Sequence, residues 1–161
     1  MAFLLDADTL ITGKNQAYGF DICPGFWEFI EREHGAGRLF SIKPVGDELR
    51  KGNDELSEWA KKQGSSFFLP LDPPALTAMA QVAPWVQNRD FTDAAKAEFF
   101  RSADQYLVAF AKAHGHVIVS HEVLNREQRN RVKIPVVADA MGVRCVRTYD
   151  WLRSRSARFI L

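Results

Sequence analysis

Phe3-Leu4-Leu5 and Val117-Ile118-Val119 are unbroken apolar runs of strand length, and each meets a carboxylate within three residues of its end, at Asp6 and at Glu122. A run without alternation has no face to offer water, so it belongs inside a sheet covered on both sides, which is the condition of parallel strands. Parallel neighbours cannot be joined by a tight turn; they need long crossovers, which helices supply. The chain is therefore expected to alternate strand and helix around a central parallel sheet, an α/β architecture.

The intervening segments fit that pattern. Ala2 to Leu5 reads as the opening strand. Pro24 followed by Gly25 to Ile30 reads as a helix with proline in its first turn, ended by Gly35-Ala36-Gly37. Leu39 to Ile42 is a second strand, Gly46 to Arg50 opens a short helix, and Asp54 to Lys62 carries Leu56, Trp59 and Ala60 at helical spacing. Ser66 to Leu69 reads as strand, and Pro73-Pro74 opens a helix running to about Trp85 or Val86, with Pro84 blurring its end. Thr92 to Ala113 is helical by its apolar spacing, broken near Ser102 and ended by Gly115. His116 to Ser120 is a β-branched strand, and Ala138 to Gly142 followed by Val143 to Val146 reads as helix, turn and final strand. With no repeat, low-complexity tract or linker, a single domain over residues 1–161 is expected.

Composition excludes several classes. An apolar fraction of 47% and a charged fraction of 25% are those of a globular chain rather than a disordered, collagenous or coiled-coil one. Cys23 and Cys145 form no CxxC pair, which argues against a disulfide framework and a structural zinc site and suits a reducing cytoplasm. His114, His116 and His121 stand in no HExxH arrangement. The opening residues lack a signal-peptide pattern, and no apolar stretch has the length of a membrane span, so a cytoplasmic protein with no membrane association is expected. The net charge of +1 hides an asymmetry: from Val123 to Leu161 nine basic residues face three acids. A basic tail beside an acidic remainder suits contact with a polyanion or an acidic partner, and Arg126, Arg129 and Arg131 lead it. Phe26, Trp27, Trp59 and Phe99 read as core.

In an open parallel sheet, ligands bind beyond the carboxyl ends of the strands. Asp6 and Glu122 follow strands directly, Asp104 lies early in the helix that feeds the second of those strands, and Glu48 lies shortly after the Leu39–Ile42 strand. Taken singly, Glu48 or Asp104 would pass for a helix-surface charge.

Together and in order, these pieces resemble the PIN domain, the fold of VapC-type toxin ribonucleases. Leu4-Leu5-Asp6-Ala7-Asp8-Thr9-Leu10-Ile11 resembles the opening strand with its aspartate, and Val45-Gly46-Asp47-Glu48-Leu49 the short segment with a glutamate. Ala103 to Ala111 resembles the helix headed by an aspartate, and Val117-Ile118-Val119-Ser120-His121-Glu122 the strand that in the family ends in threonine, a variable residue and an aspartate. Lys133-Ile134-Pro135 and Gly142 to Val146 resemble the family's tail, while Tyr18, Asp21 and the Cys23 to Trp27 run suggest a little-characterised PIN-like branch. Glu122 with Ser120 departs from the usual threonine and aspartate.

The resemblance implies a three-layer α/β/α fold and a Mg2+- or Mn2+-dependent endoribonuclease leaving a 5′-phosphate and a 3′-hydroxyl. Hard divalent ions prefer oxygen ligands, which carboxylates provide. Asp6 would be the central ligand, Glu48 and Asp104 ligands or holders of water, and Glu122 a ligand directly or through water. Ser120 would hold one of the acids by a hydrogen bond, Asp8 would either do likewise or cap local backbone, and His121 could touch a phosphate. As a toxin it would have RNA as substrate and a cognate antitoxin as partner, and homodimerisation is common in such proteins. Two other readings remain open. Asp6-Ala7-Asp8-Thr9 fits the DxDxT opening of haloacid-dehalogenase-like phosphatases, although the later lysine and acidic pair of that family are missing. A PIN-like binding module with a decayed site is the other.

Overall fold

The computed structural model describes residues 1–161. The chain runs β1 (Phe3–Leu5), α1 (Ala7–Asn15), α2 (Pro24–Gly35), β2 (Leu39–Ile42), α3 (Lys43–Arg50), α4 (Glu55–Phe67), β3 (Phe68–Leu69), α5 (Pro73–Gln87), α6 (Asp93–Arg101), α7 (Asp104–His114), β4 (Val117–Val119), α8 (Ile134–Ala140), β5 (Cys145–Val146) and α9 (Thr148–Ser154). The five strands form one parallel sheet in the order β3-β2-β1-β4-β5, flanked by the helices in a three-layer α/β/α arrangement. Phe3 is in register with Leu39 on one side and Val117 on the other, so β1 is the central strand. From β1 the chain first winds outward to β2 and β3, then returns to β4 and β5 on the opposite side. That reversal opens a crevice at the carboxyl ends of β1 and β4.

Burial explains the apolar runs. Leu4, Leu5, Ile118 and Val119 are wholly inaccessible within one cluster of 40 buried residues, and Phe26, Trp27, Trp59 and Phe99 belong to it as expected. Local chemistry sets the helix starts: Asp54, Asp72 and Thr92 accept hydrogen bonds from the N–H groups of Ser57, Ala75 and Ala95 at 3.0, 3.1 and 3.1 Å. Gly115, at φ 68°, ends α7 in the left-handed conformation that glycine adopts without a Cβ penalty.

Several boundaries differ from the sequence expectation. Residues 7–15 form a helix, α1, because the Asp6 side chain caps it. The strand expected from Ser66 begins only at Phe68; α4 passes through a kink at Gly64 and continues to Phe67. Pro84 sits inside α5, which ends one turn later at Gln87. The helix expected at Ala138–Gly142 starts earlier, at Ile134, since Pro135 presets the first turn and lacks an N–H to leave unpaired. α9, which the sequence reading did not anticipate, follows β5 and buries Trp151.

Gly46 shows how tightly α3 lies on the sheet. A Cβ there would stand 2.7 Å from Cγ of Phe68, a core ring, and 2.9 Å from Arg50 Nη1. Gly46→Ala is expected to lower stability by about 1–3 kcal/mol in urea unfolding, because the Phe68 ring has no free space to enter. It should also disturb Glu48, two residues on. Unchanged unfolding would mean that α3 lies further from β3 than described.

Candidate functional site

β1 ends at Leu5 and delivers Asp6, whose backbone N–H donates to the Val119 carbonyl at 3.3 Å, fixing it beside the end of β4. Asp6 is 1% exposed and is also the N-cap of α1: its Oδ1 accepts from the Thr9 N–H at 2.7 Å. The Thr9 hydroxyl donates to the Val119 carbonyl at 3.3 Å, tying the same turn to β4. Oδ2 is buried with no hydrogen-bond partner. An unpaired buried carboxylate oxygen is costly, and its persistence at the end of a central strand calls for a ligand.

Glu48 and Glu122 follow the same pattern from other elements. Glu48, on α3, reaches across 55 residues of sequence, and its Oε1 accepts from the Ala103 N–H at 2.7 Å, at the start of α7. Glu122 is buried, and its Oε2 accepts from the Ile134 N–H at 2.9 Å, the first residue of α8. Asp104 opens α7 itself, with its backbone N–H donating to the Ser102 hydroxyl at 3.2 Å. Three helix N-termini therefore point into one acidic centre, where their partial positive charge opposes carboxylate repulsion.

That compensation is incomplete. Burial first, and then the charges of Asp6, Glu122, Asp8 and Glu48, push the Asp104 carboxyl up to about 8. The acids that act on it come from the end of β1, from α1, from α3 and from the stretch after β4. Asp6 is pushed up to about 6, chiefly by burial, and the Thr9 N–H, which favours its charged form, does not offset the loss of water.

A pH dependence follows. The folded protein holds protons on Asp6 and Asp104 where the unfolded chain, with aspartate near 3.9, has released them. Stability of the metal-free protein is therefore greatest at the low end of this window and falls as pH rises towards 8, by about 1.4 kcal/mol from Asp6 alone between pH 5 and pH 8. Glu33, held below the usual range by Arg38, acts in the opposite direction but only under more acidic conditions. Urea unfolding in chelator between pH 5 and pH 8 checks this. Asp104→Asn should flatten the upper part of the slope, and a stability that rises across the window would contradict the burial of these acids.

A small cleft of about 110 Å3 opens onto the centre, and its walls include Asp8, Glu48, Glu98, Asp104 and Arg131. A space of that size suits small polar occupants rather than a large ligand. Sequence reasoning missed Glu98, an exposed α6 acid one turn before the Ser102 break that nothing local distinguishes from a surface charge. Arg131 was expected at an RNA or partner surface; its Nη2 instead contacts Asp8 Oδ2 at 3.2 Å and Glu122 Oε1 at 3.1 Å. Asp8 thus meets an arginine rather than capping backbone. Ser120 is fully buried, and its hydroxyl accepts from the Glu122 N–H at 3.2 Å; it lies near Asp6 without a well-formed hydrogen bond to it. The Cys145 thiol, on the neighbouring strand, is pushed up to about 12 by burial and then by Asp6 and Glu122.

The other basic residues stand apart. Arg126 pairs with Asp139 at 2.8 Å and Arg129 with Asp90 at 2.7 Å, around a separate hollow beside Trp85. His121 is half-buried with an unpartnered Nδ1 and is not among the walls of the acidic cleft. The acids do not form a ready-made cage, since no three His, Cys, Asp or Glu side chains are drawn together closely enough to hold a metal ion as they stand. No helix is long and apolar enough to cross a membrane.

Comparison with known proteins supports the fold. The chain is similar to the crystal structure of FitAcB from Neisseria gonorrhoeae, with a TM-score of 0.52, 17% identity, and coverage of 89% of this chain and 95% of that one. It is also similar to DNA-bound VapBC from Salmonella typhimurium, with a TM-score of 0.51, 18% identity, and coverage of 91% and 98%. No curated protein matches the sequence. A family model described as "Domain of unknown function (DUF4411)" matches residues 3–159.

Proposed function

The chain belongs to the DUF4411 family, and we propose that it is a metal-dependent endoribonuclease of the PIN-like, VapC type, acting on RNA phosphodiester bonds. The observation that carries this reading is the second oxygen of Asp6: buried, unpaired, and at the strand end where the other acids converge. The donor set is all oxygen, which fits Mg2+ or Mn2+. The PIN-like sequence pattern and the likeness of fold to FitAcB and VapBC point the same way.

On this reading Asp6, Glu48, Asp104 and Glu122 hold the cation. The bound ion would supply a nucleophilic water near neutral pH and offset phosphoryl charge. The chain's own contribution is placement. Asp6 keeps one oxygen on the α1 cap and turns the other to the centre; Glu48 keeps one on α7, and Glu122 one on α8, so each acid is held by a helix end. Ser120 fixes the backbone of Glu122 through its hydroxyl. Asp104 carries a proton at neutral pH, which it must release to serve as a ligand.

A phosphatase of the haloacid-dehalogenase-like kind would need, beyond Asp6 and Asp8, a later lysine and a late acidic pair after a strand, which this sequence lacks. By the same VapC likeness, a cognate antitoxin is the expected protein partner, and a homodimer the expected assembly. The test is incubation of purified protein with total RNA and Mn2+, followed by mapping of the ends. Cleavage that stops with chelator and leaves 5′-phosphates is the expected result. Cleavage that survives chelation, or leaves cyclic phosphates, would overturn the proposal; a protein that neither binds Mn2+ nor cleaves would be the decayed module.

A further inference from the structure

We infer that Arg131 is the resident counter-ion of the acidic centre, and that a divalent cation must displace it from Asp8 and Glu122 in order to bind. The inference rests on the metal-site reading above and concerns how that site is loaded.

Arg131 is the one basic residue on the walls of the cleft, facing the acids Asp8, Glu48, Glu98 and Asp104. Its Nη2 bridges Asp8 Oδ2 and Glu122 Oε1 at 3.2 and 3.1 Å, joining carboxylates from opposite ends of the chain. Both oxygens of Glu122 are engaged, Oε2 with the first N–H of α8 and Oε1 with Arg131. Of these two contacts, only the one to Arg131 can open without uncapping a helix. Opening it is easy: a single nitrogen makes both contacts rather than the paired fork that gives arginine–carboxylate pairs their strength, and 47% of the Arg131 side chain is exposed. The released guanidinium regains water at once.

Cation and guanidinium compete for the same oxygens, which lowers the apparent affinity of the centre for its ion. Loading then follows the free divalent concentration.

Binding of Mn2+, read from the loss of its free-ion paramagnetic resonance signal at pH 8 and low salt, separates this role from that of a simple clamp. Wild type, Arg131→Gln, Arg131→Lys and Asp6→Asn are compared. Removing the competing charge is expected to tighten Mn2+ binding by about tenfold in Arg131→Gln, since a unit charge a few ångströms from the ion is worth at least that much near a surface. Arg131→Lys, which keeps the charge, should stay close to wild type, and Asp6→Asn should weaken binding. If Arg131 merely held the acids in place, its loss would loosen them. Equal or weaker binding in Arg131→Gln therefore overturns the inference while leaving the metal site intact. Failure of every protein to bind Mn2+ removes the metal-site reading, and this inference with it.

Discussion

Asp6→Asn is expected to reduce Mn2+-dependent RNA cleavage by roughly a thousandfold, on the order of what loss of one fixed electrostatic stabiliser costs a hydrolase. The substitution is nearly isosteric. Asn can still accept the Thr9 N–H through its amide oxygen, so the α1 cap survives, and what disappears is the charge on the buried, unpaired oxygen. Because burial already disfavours that charge, the variant should be at least as stable as wild type at pH 7.5 in chelator. Inactivity with unchanged or raised stability distinguishes loss of a ligand from loss of fold. Asp104→Asn should behave alike, for it removes the carboxyl that feels all the other acids. Full activity in either variant would remove the proposed centre.

The second large effect lies far from the chemistry. Trp151 is 1% exposed on α9 and packs against Phe29 and Phe3, with ring centroids 5.4 and 6.4 Å away. Trp151→Ala should cost about 3–5 kcal/mol, the usual loss for an aromatic removed from a packed core. That is a large share of the 5–15 kcal/mol by which domains are typically stable. The indole N–H is buried without an acceptor, so part of what the side chain contributes is already offset. Trp151→Phe removes that orphan donor while keeping most of the ring, and should cost less than about 1.5 kcal/mol. Chemical unfolding of both variants checks this. A mild Trp151→Ala would mean that α9 is loosely docked.

Much of the plan was legible from particular residues. The apolar runs before Asp6 and Glu122 identified strands buried on both faces, and the glycine and proline punctuation around α2 and α7 located helices. The segments that escaped detection lacked a local signal. α1 begins at the residue that also looks like a site acid, and its apolar spacing is weak. α9 carries Trp151 and Leu152 among arginines, which reads as a basic tail until the chain folds them under α2 and β1. Ser66 reads as the start of a strand, whereas the helix kinks at Gly64 and continues to Phe67.

The site divides in the same way. That Asp6 and Glu122 stand at strand ends follows from sequence alone, since an apolar run of that length has one way to be buried and its next polar residue must emerge at the edge. That Glu48 caps α7, that Glu122 caps α8, and that Arg131 bridges Asp8 and Glu122 are contacts across 55, 12, 123 and 9 residues. Such contacts arise only when crossover helices bring their N-termini to one end of the sheet. Periodicity reports how a segment is buried against its surroundings, and it carries no record of which distant charge will be the neighbour. The acids were therefore visible one by one, while their partners, their protons and the arginine among them were decided by the fold.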